Sequence, residues 1–168
     1  MLKTRGASAL TVPMWIDSIK TTREFKMSRF GYFVAEANGP YNTNANSTSV
    51  VLELFFDNIR FLLTGDCYAK HWKEIIPKTT KSKIKMIQAP RHGAKNGMFS
   101  GKNSPWLDFV GKSTKIALSS HIHPHKHPHK DVIAKLENDS RTHFRTDQHY
   151  HLTFEIENGK LGTKWSHF

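Results

Sequence analysis

The chain has 168 residues, 38% of them hydrophobic and 23% charged, enough for one folded domain with a core and too few for two. Lys and Arg outnumber Asp and Glu by 25 to 14, a formal charge of +11, which points away from cationic partners and towards polyanions. Cys67 is the single cysteine, so an intrachain disulfide framework is excluded, and no apolar run approaches the roughly 20 residues of a membrane-spanning helix.

Residues 1–29 have weak periodicity and mixed polarity and read as a lead-in segment, either a short helix around 14–26 or a frayed run. Lys3 and Arg5 ahead of residues 7–16 mimic a secretory signal, but Pro13 and Asp17 interrupt it, so a cytoplasmic location is the expectation. Residues 39–49, rich in Asn, Gly and Ser, favour turns and read as a loop. Residues 50–56 and 59–63 are apolar, β-branched or aromatic runs flanking Asp57-Asn58, the composition of a tight hairpin. Residues 68–76 carry apolar positions at helical spacing, and Pro77 ends them. A strand at 83–88 leads into Ala89-Pro90-Arg91-His92-Gly93. Ser104-Pro105 opens a helix over 106–110, with Ser as cap and Pro in the first turn. A strand over 115–119, a His-rich loop, an amphipathic helix over 130–138 and closing strands over 141–145 and 150–157 complete the pattern. The resulting order, β-β-α-β-α-β-α-β-β, is that of an α/β (α+β) layer, in which sites gather where strands give way to loops.

Three places carry candidate chemistry. Asp66 follows a strand directly after Gly65; such a carboxylate either ligates metal or hydrogen-bonds its own turn. His92 stands at the corresponding end of the next strand beside Gly93, as a ligand or as a solvated loop histidine. Adjacent strand ends in one sheet bring the two together. The run from His121 to His129 places five imidazoles in nine residues, which bind zinc, nickel or copper as a site or adventitiously. His127 and His129 stand immediately before the 130–138 helix, whose positive end favours an anion. Residues 70–102 hold nine Lys or Arg against one acid, Glu74, a positive face that either meets a polyanion or is simply solvated.

Taken in order, Asn46 with the following Ser-Thr-Ser and Val-Val-Leu, the hairpin ending Leu62-Leu63-Thr64-Gly65-Asp66, the strand into Pro90-Arg91-His92-Gly93, His127-Pro128-His129 ahead of Val132-Ile133, and Phe144-Arg145-Thr146-Asp147 resemble the metallo-β-lactamase superfamily. The nearest branch is that of competence-type DNA-internalisation proteins. The resemblance covers residues 33–159, and its implied domain runs over 30–160 with a tail at 161–168. It implies the C-terminal half of an αββα sandwich holding one or two metal ions, usually zinc, and a hydrolase that attacks phosphodiesters, DNA among them, with a metal-bound hydroxide. Carried over by motif, Asp66 is a bridging carboxylate and His92 a metal ligand. Asn46 is a polar residue beside the site, His127 contacts the metal-bound group or the substrate phosphate, and residues 141–147 are mostly structural.

Two departures shape the expectation. The family's principal His-X-His-X-Asp-His motif has no counterpart before Asn46, and no histidine precedes His71. Arg91 stands where the family commonly has a first histidine, putting a permanent cation there. Asp66 and His92 are two ligands where a catalytic zinc takes three. The chain is therefore expected to be a fragment, to pair with a partner chain or second copy that covers the missing half, or to be a degenerate member. In the last case it would be a non-catalytic nucleic-acid or metal-binding module.

Overall fold

The computed structural model describes residues 25–31, 50–76, 84–120 and 124–166. The loop expected over 39–49, Asn46 within it, and the first part of the His run, His121 and His123, lie outside these residues.

Strands β1 (Phe25–Gly31), β2 (Val50–Phe56) and β3 (Ile59–Leu63) form an antiparallel meander. The β2–β3 turn has both central residues at positive φ, Asp57 at 48° and Asn58 at 63°, as a two-residue hairpin matching the strand twist requires. From β3 the sheet continues in parallel through β4 (Ile84–Gln88), β5 (Lys115–Leu118) and β6 (His143–Arg145), giving six strands in chain order. The connections carry the helices: a 3-10 turn (Ala69–His71) running into α1 (Trp72–Ile75), then α2 (Lys95–Met98), α3 (Pro105–Phe109) and α4 (Lys130–Asn138). After β6 come α5 (Thr146–His149) and a separate hairpin of β7 (His151–Glu157) and β8 (Lys160–Ser166). The architecture is α/β, as the alternation of elements predicts.

Period-two alternation decides what faces the core. Val51, Leu62, Ile87, Ile116 and Leu118 point to the side covered by Trp72, Ile75, Trp106, Leu107, Val132 and Leu136, all fully buried. Each such side chain contributes about 1.5–3 kcal/mol on removal from water. In α4, Val132 and Leu136 stand four residues apart and face this core, while Ile133 packs at its edge. The β7–β8 hairpin docks at the end of the sheet near β5 and β6. Lys115 Nζ donates to Leu161 O at 3.2 Å and Thr163 Oγ1 at 2.7 Å, and the Phe144 ring meets Phe154 and Trp165 at 6.2 and 5.9 Å.

The structure differs from the sequence expectation at short or terminal elements. Phe25 and Lys26, placed at the end of a helix by one reading, stand in β1, which runs across the expected 29/30 boundary. The expected tail contains most of β8. A signal for β8 was present: Asn158-Gly159, with φ of 49° and 71°, is a strong two-residue hairpin signature. Helices α2 and α5 have four residues each, too few to show a period of 3.6. No helix among the described residues is long and apolar enough to cross a membrane.

Candidate metal centre and adjoining cationic cleft

The carboxyl ends of β3, β4 and β5 are stitched together by the loops that leave them. Thr64, fully buried, donates its hydroxyl to Gln88 O at 2.9 Å. Ala89 N donates to Ala117 O at 2.8 Å, and Arg91 N reaches Gly65 O at 3.0 Å. Gly65 turns the chain at φ 51°, which delivers Asp66 at the sheet edge. After β4, Arg91 (φ 51°, ψ 44°) and His92 (φ 57°, ψ 22°) are both left-handed, followed by Gly93 at φ 81°. Left-handed geometry costs roughly 1–2 kcal/mol per side-chain-bearing residue, and such strain concentrates at functional sites. It is held by the Arg91 N bond to Gly65 and by His129 N donating to Gly93 O at 3.0 Å.

This backbone brings Asp66 and His92 together, with His92 Nε2 3.3 Å from Asp66 Oδ1 and both side chains nearly half exposed. The opposite ring nitrogen, His92 Nδ1, lies 2.5 Å from Ser119 O. A carbonyl only accepts, so the proton sits on Nδ1 and a neutral ring turns its Nε2 lone pair towards a carboxylate oxygen. Two lone pairs facing one another call for a cation between them, a proton or a metal ion. For ligand distances of about 2.0–2.1 Å, tetrahedral donors stand roughly 3.3 Å apart, so this separation accommodates either an ion pair or two ligands of one zinc ion. A histidine whose far nitrogen is fixed by a backbone carbonyl also matches the usual outer shell of metal sites. Among the described residues no group of three or more His, Cys, Asp or Glu side chains is placed to hold a metal ion.

His127 lies across the same loop, in a cleft of about 540 Å³ lined by Arg91, Lys95, Asn96, Phe99 and His129 among others. Its Nδ1 is buried with no hydrogen-bond partner among the described residues. Burial, followed by the charges of His125, His92, Arg91 and His129, holds His127 below the ordinary histidine value. His129 caps α4 instead of hanging free: its Nδ1 accepts from Asp131 N at 3.2 Å, which leaves Nε2 as the donor of the neutral ring. Arg91 stacks over Tyr68 at 4.4 Å and donates to Asn96 Oδ1 at 2.8 Å. Lys95 pairs with Asp131 at 2.8 Å.

Three of the four residues singled out from sequence are thus placed: Asp66 and His92 against each other, and His127 in the cleft alongside. Asn46 lies outside the described residues. Sequence reasoning missed Ser119, whose contribution is a backbone carbonyl, Lys95 on the short α2 and Phe99, which follows its last residue. No family model matches the chain. It is similar to ComE operon protein 3 of Bacillus subtilis (strain 168), 22% identical over 148 residues, which are 88% of this chain and 18% of that protein. The chain therefore spans less than a fifth of the length of that relative.

Proposed function

We propose that this chain forms part of a metal-dependent hydrolase of phosphodiesters, nucleic acid included, of the metallo-β-lactamase type and its competence-type branch. The observation that carries the reading is His92, set between a backbone carbonyl at 2.5 Å and the Asp66 carboxylate at 3.3 Å, beside a cleft lined by Arg91, Lys95 and His129. The ordered motifs and the similarity to ComE operon protein 3 over 88% of the chain support it. Asp66 and His92 would hold zinc, with the remaining ligands supplied from outside the described residues, by this chain or a partner. When bound, the metal supplies Lewis-acid polarisation of a phosphoryl oxygen and a nucleophile at neutral pH.

The chain's own residues do the rest. Arg91 offers a planar cation on a fixed aromatic seat, suited to two phosphate oxygens. Lys95 adds a point charge, and His127, in the same cleft, would contact the metal-bound group or the substrate phosphate.

The test is zinc content after dialysis, measured with turnover of a simple phosphodiester, in the full chain and in Asp66→Asn. Loss of both in the variant is expected. Equal zinc and equal turnover in the two proteins would overturn the assignment. The charge of +11 favours a second outcome, oligonucleotide binding that persists in chelator without hydrolysis, which makes the chain a non-catalytic module.

A further inference from the structure

The parallel pairing of β5 with β6 ends at Leu118 and Arg145, and the chain beyond Leu118 leaves the sheet next to His92. Side chains continue the ladder there. Ser120 N donates to Thr146 Oγ1 at 2.8 Å, and the same hydroxyl donates to Ser120 O at 2.8 Å. Ser120 Oγ donates to Asp147 Oδ1 at 2.8 Å. Asp147 is gripped by both arms of the Arg145 fork, at 3.1 and 2.6 Å, with only 5% of its side chain exposed.

The Ser119–Ser120 peptide is the consequential unit. A peptide is planar, and in the trans form its N–H and C=O point in opposite directions. Its N–H is the Ser120 donor to Thr146, and its C=O is the Ser119 oxygen that faces His92 Nδ1 at 2.5 Å. The hydroxyl of Thr146 therefore fixes one edge of a rigid plate whose other edge decides where the His92 proton sits. Asp147, through Ser120 Oγ, holds the same plate from its side chain. Nothing in the sequence hints at this, since the groups are 26 or 27 residues apart.

We propose that Thr146, backed by Asp147, is a positioning residue: through the Ser119–Ser120 peptide it holds His92 as the Nδ1–H tautomer with Nε2 directed at Asp66. The metal consequence rests on the hydrolase reading; the tautomer does not.

The experiment is nitrogen-15 NMR of the imidazoles in the full metal-free chain at alkaline pH, where neutral rings report their tautomers. His92, assigned by its loss in His92→Gln, is expected as Nδ1–H. Thr146→Val, which keeps the shape and removes the hydroxyl, is expected to move it to a tautomer mixture, and Thr146→Ser to restore it. An Nε2–H tautomer in the unmodified chain overturns the proposal even if Thr146→Val fails to fold, and so does an unchanged tautomer in a folded Thr146→Val. Zinc affinity from chelator competition is expected to fall up to about 10-fold in Thr146→Val, the low end of the loss seen when a partner bonded directly to the ligand is removed, because Thr146 acts through the intervening peptide. A chain that binds no zinc while its tautomer still follows Thr146 overturns the hydrolase reading and leaves this inference standing.

Discussion

Gly93 shows how little room the site leaves. At φ 81° a Cβ would lie 2.8 Å from both Leu118 Cδ2 and Pro128 Cβ; the leucine tip can swing away, but the proline ring cannot. Gly93→Ala is therefore expected to cost about 2–4 kcal/mol, overpacking plus left-handed strain, read as a lower urea midpoint. Because Pro128 follows His127, the same change is expected to disturb the cleft. Asp147 makes a pH prediction. Burial alone would raise its value, but the hydrogen bonds from Arg145 and Ser120 and the Arg145 charge outweigh it and hold the carboxyl below the usual range. Its stabilisation is fully present above the unfolded value of about 3.9 and is lost as pH falls through the lower folded value. The gap in urea midpoint between the chain and Asp147→Asn should close from pH 5 down to strongly acid conditions; a gap constant with pH would refute the assignment. Asp66 and His92 were legible in the sequence because each follows a strand and a turn of recognisable composition. Thr146 stood out only within the Phe144–Asp147 motif, as a structural residue, and Ser119 not at all, because a hydroxyl and a carbonyl acquire their meaning from a partner far along the chain.

Among the elements, the β2–β3 hairpin and α4 have the bounds that composition predicts, since their turn residues and apolar spacing are local. Helix α3 combines a local beginning with a distant end. Pro105 opens it after Ser104 as expected, although the Ser104 side chain makes no cap bond. Its end is closed by Arg141, 30 or more residues on, which donates to Leu107 O at 2.9 Å, Gly111 O at 2.7 Å and Val110 O at 3.3 Å. Carbonyls at a helix end have no partner within the helix, and a cation there also meets the negative end of the dipole. Arg141→Met keeps the aliphatic stem and removes these donors, so a loss of about 1.5–3 kcal/mol is expected by chemical denaturation. A change under about 0.5 kcal/mol would mean that water serves these carbonyls equally well. β1 was not expected as a strand, whereas β6 begins at His143, inside the closing strand expected over 141–145.

At the scale of the whole molecule, parallel strands β3 to β6 deliver their carboxyl ends to one edge, and that edge gathers Asp66, His92, Ser119 and Thr146. The cleft beside it is lined by Arg91, Lys95 and His129 in a molecule of net charge +11. Overall charge and a local cleft make different demands on salt. Each phosphate neutralised on a single strand contributes about 0.7 to the slope of log affinity against log salt. If the cleft receives the strand, Arg91→Gln with Lys95→Gln should flatten that slope by about 1.4 as well as weaken binding. If binding is spread over the +11 surface, removing two charges in 25 should leave the slope nearly as it was. Fluorescence anisotropy of a labelled single-stranded oligonucleotide, in chelator and across a salt series, reads both quantities on the intact chain. An unchanged slope would take the phosphate away from the cleft, and with it the role given to Arg91.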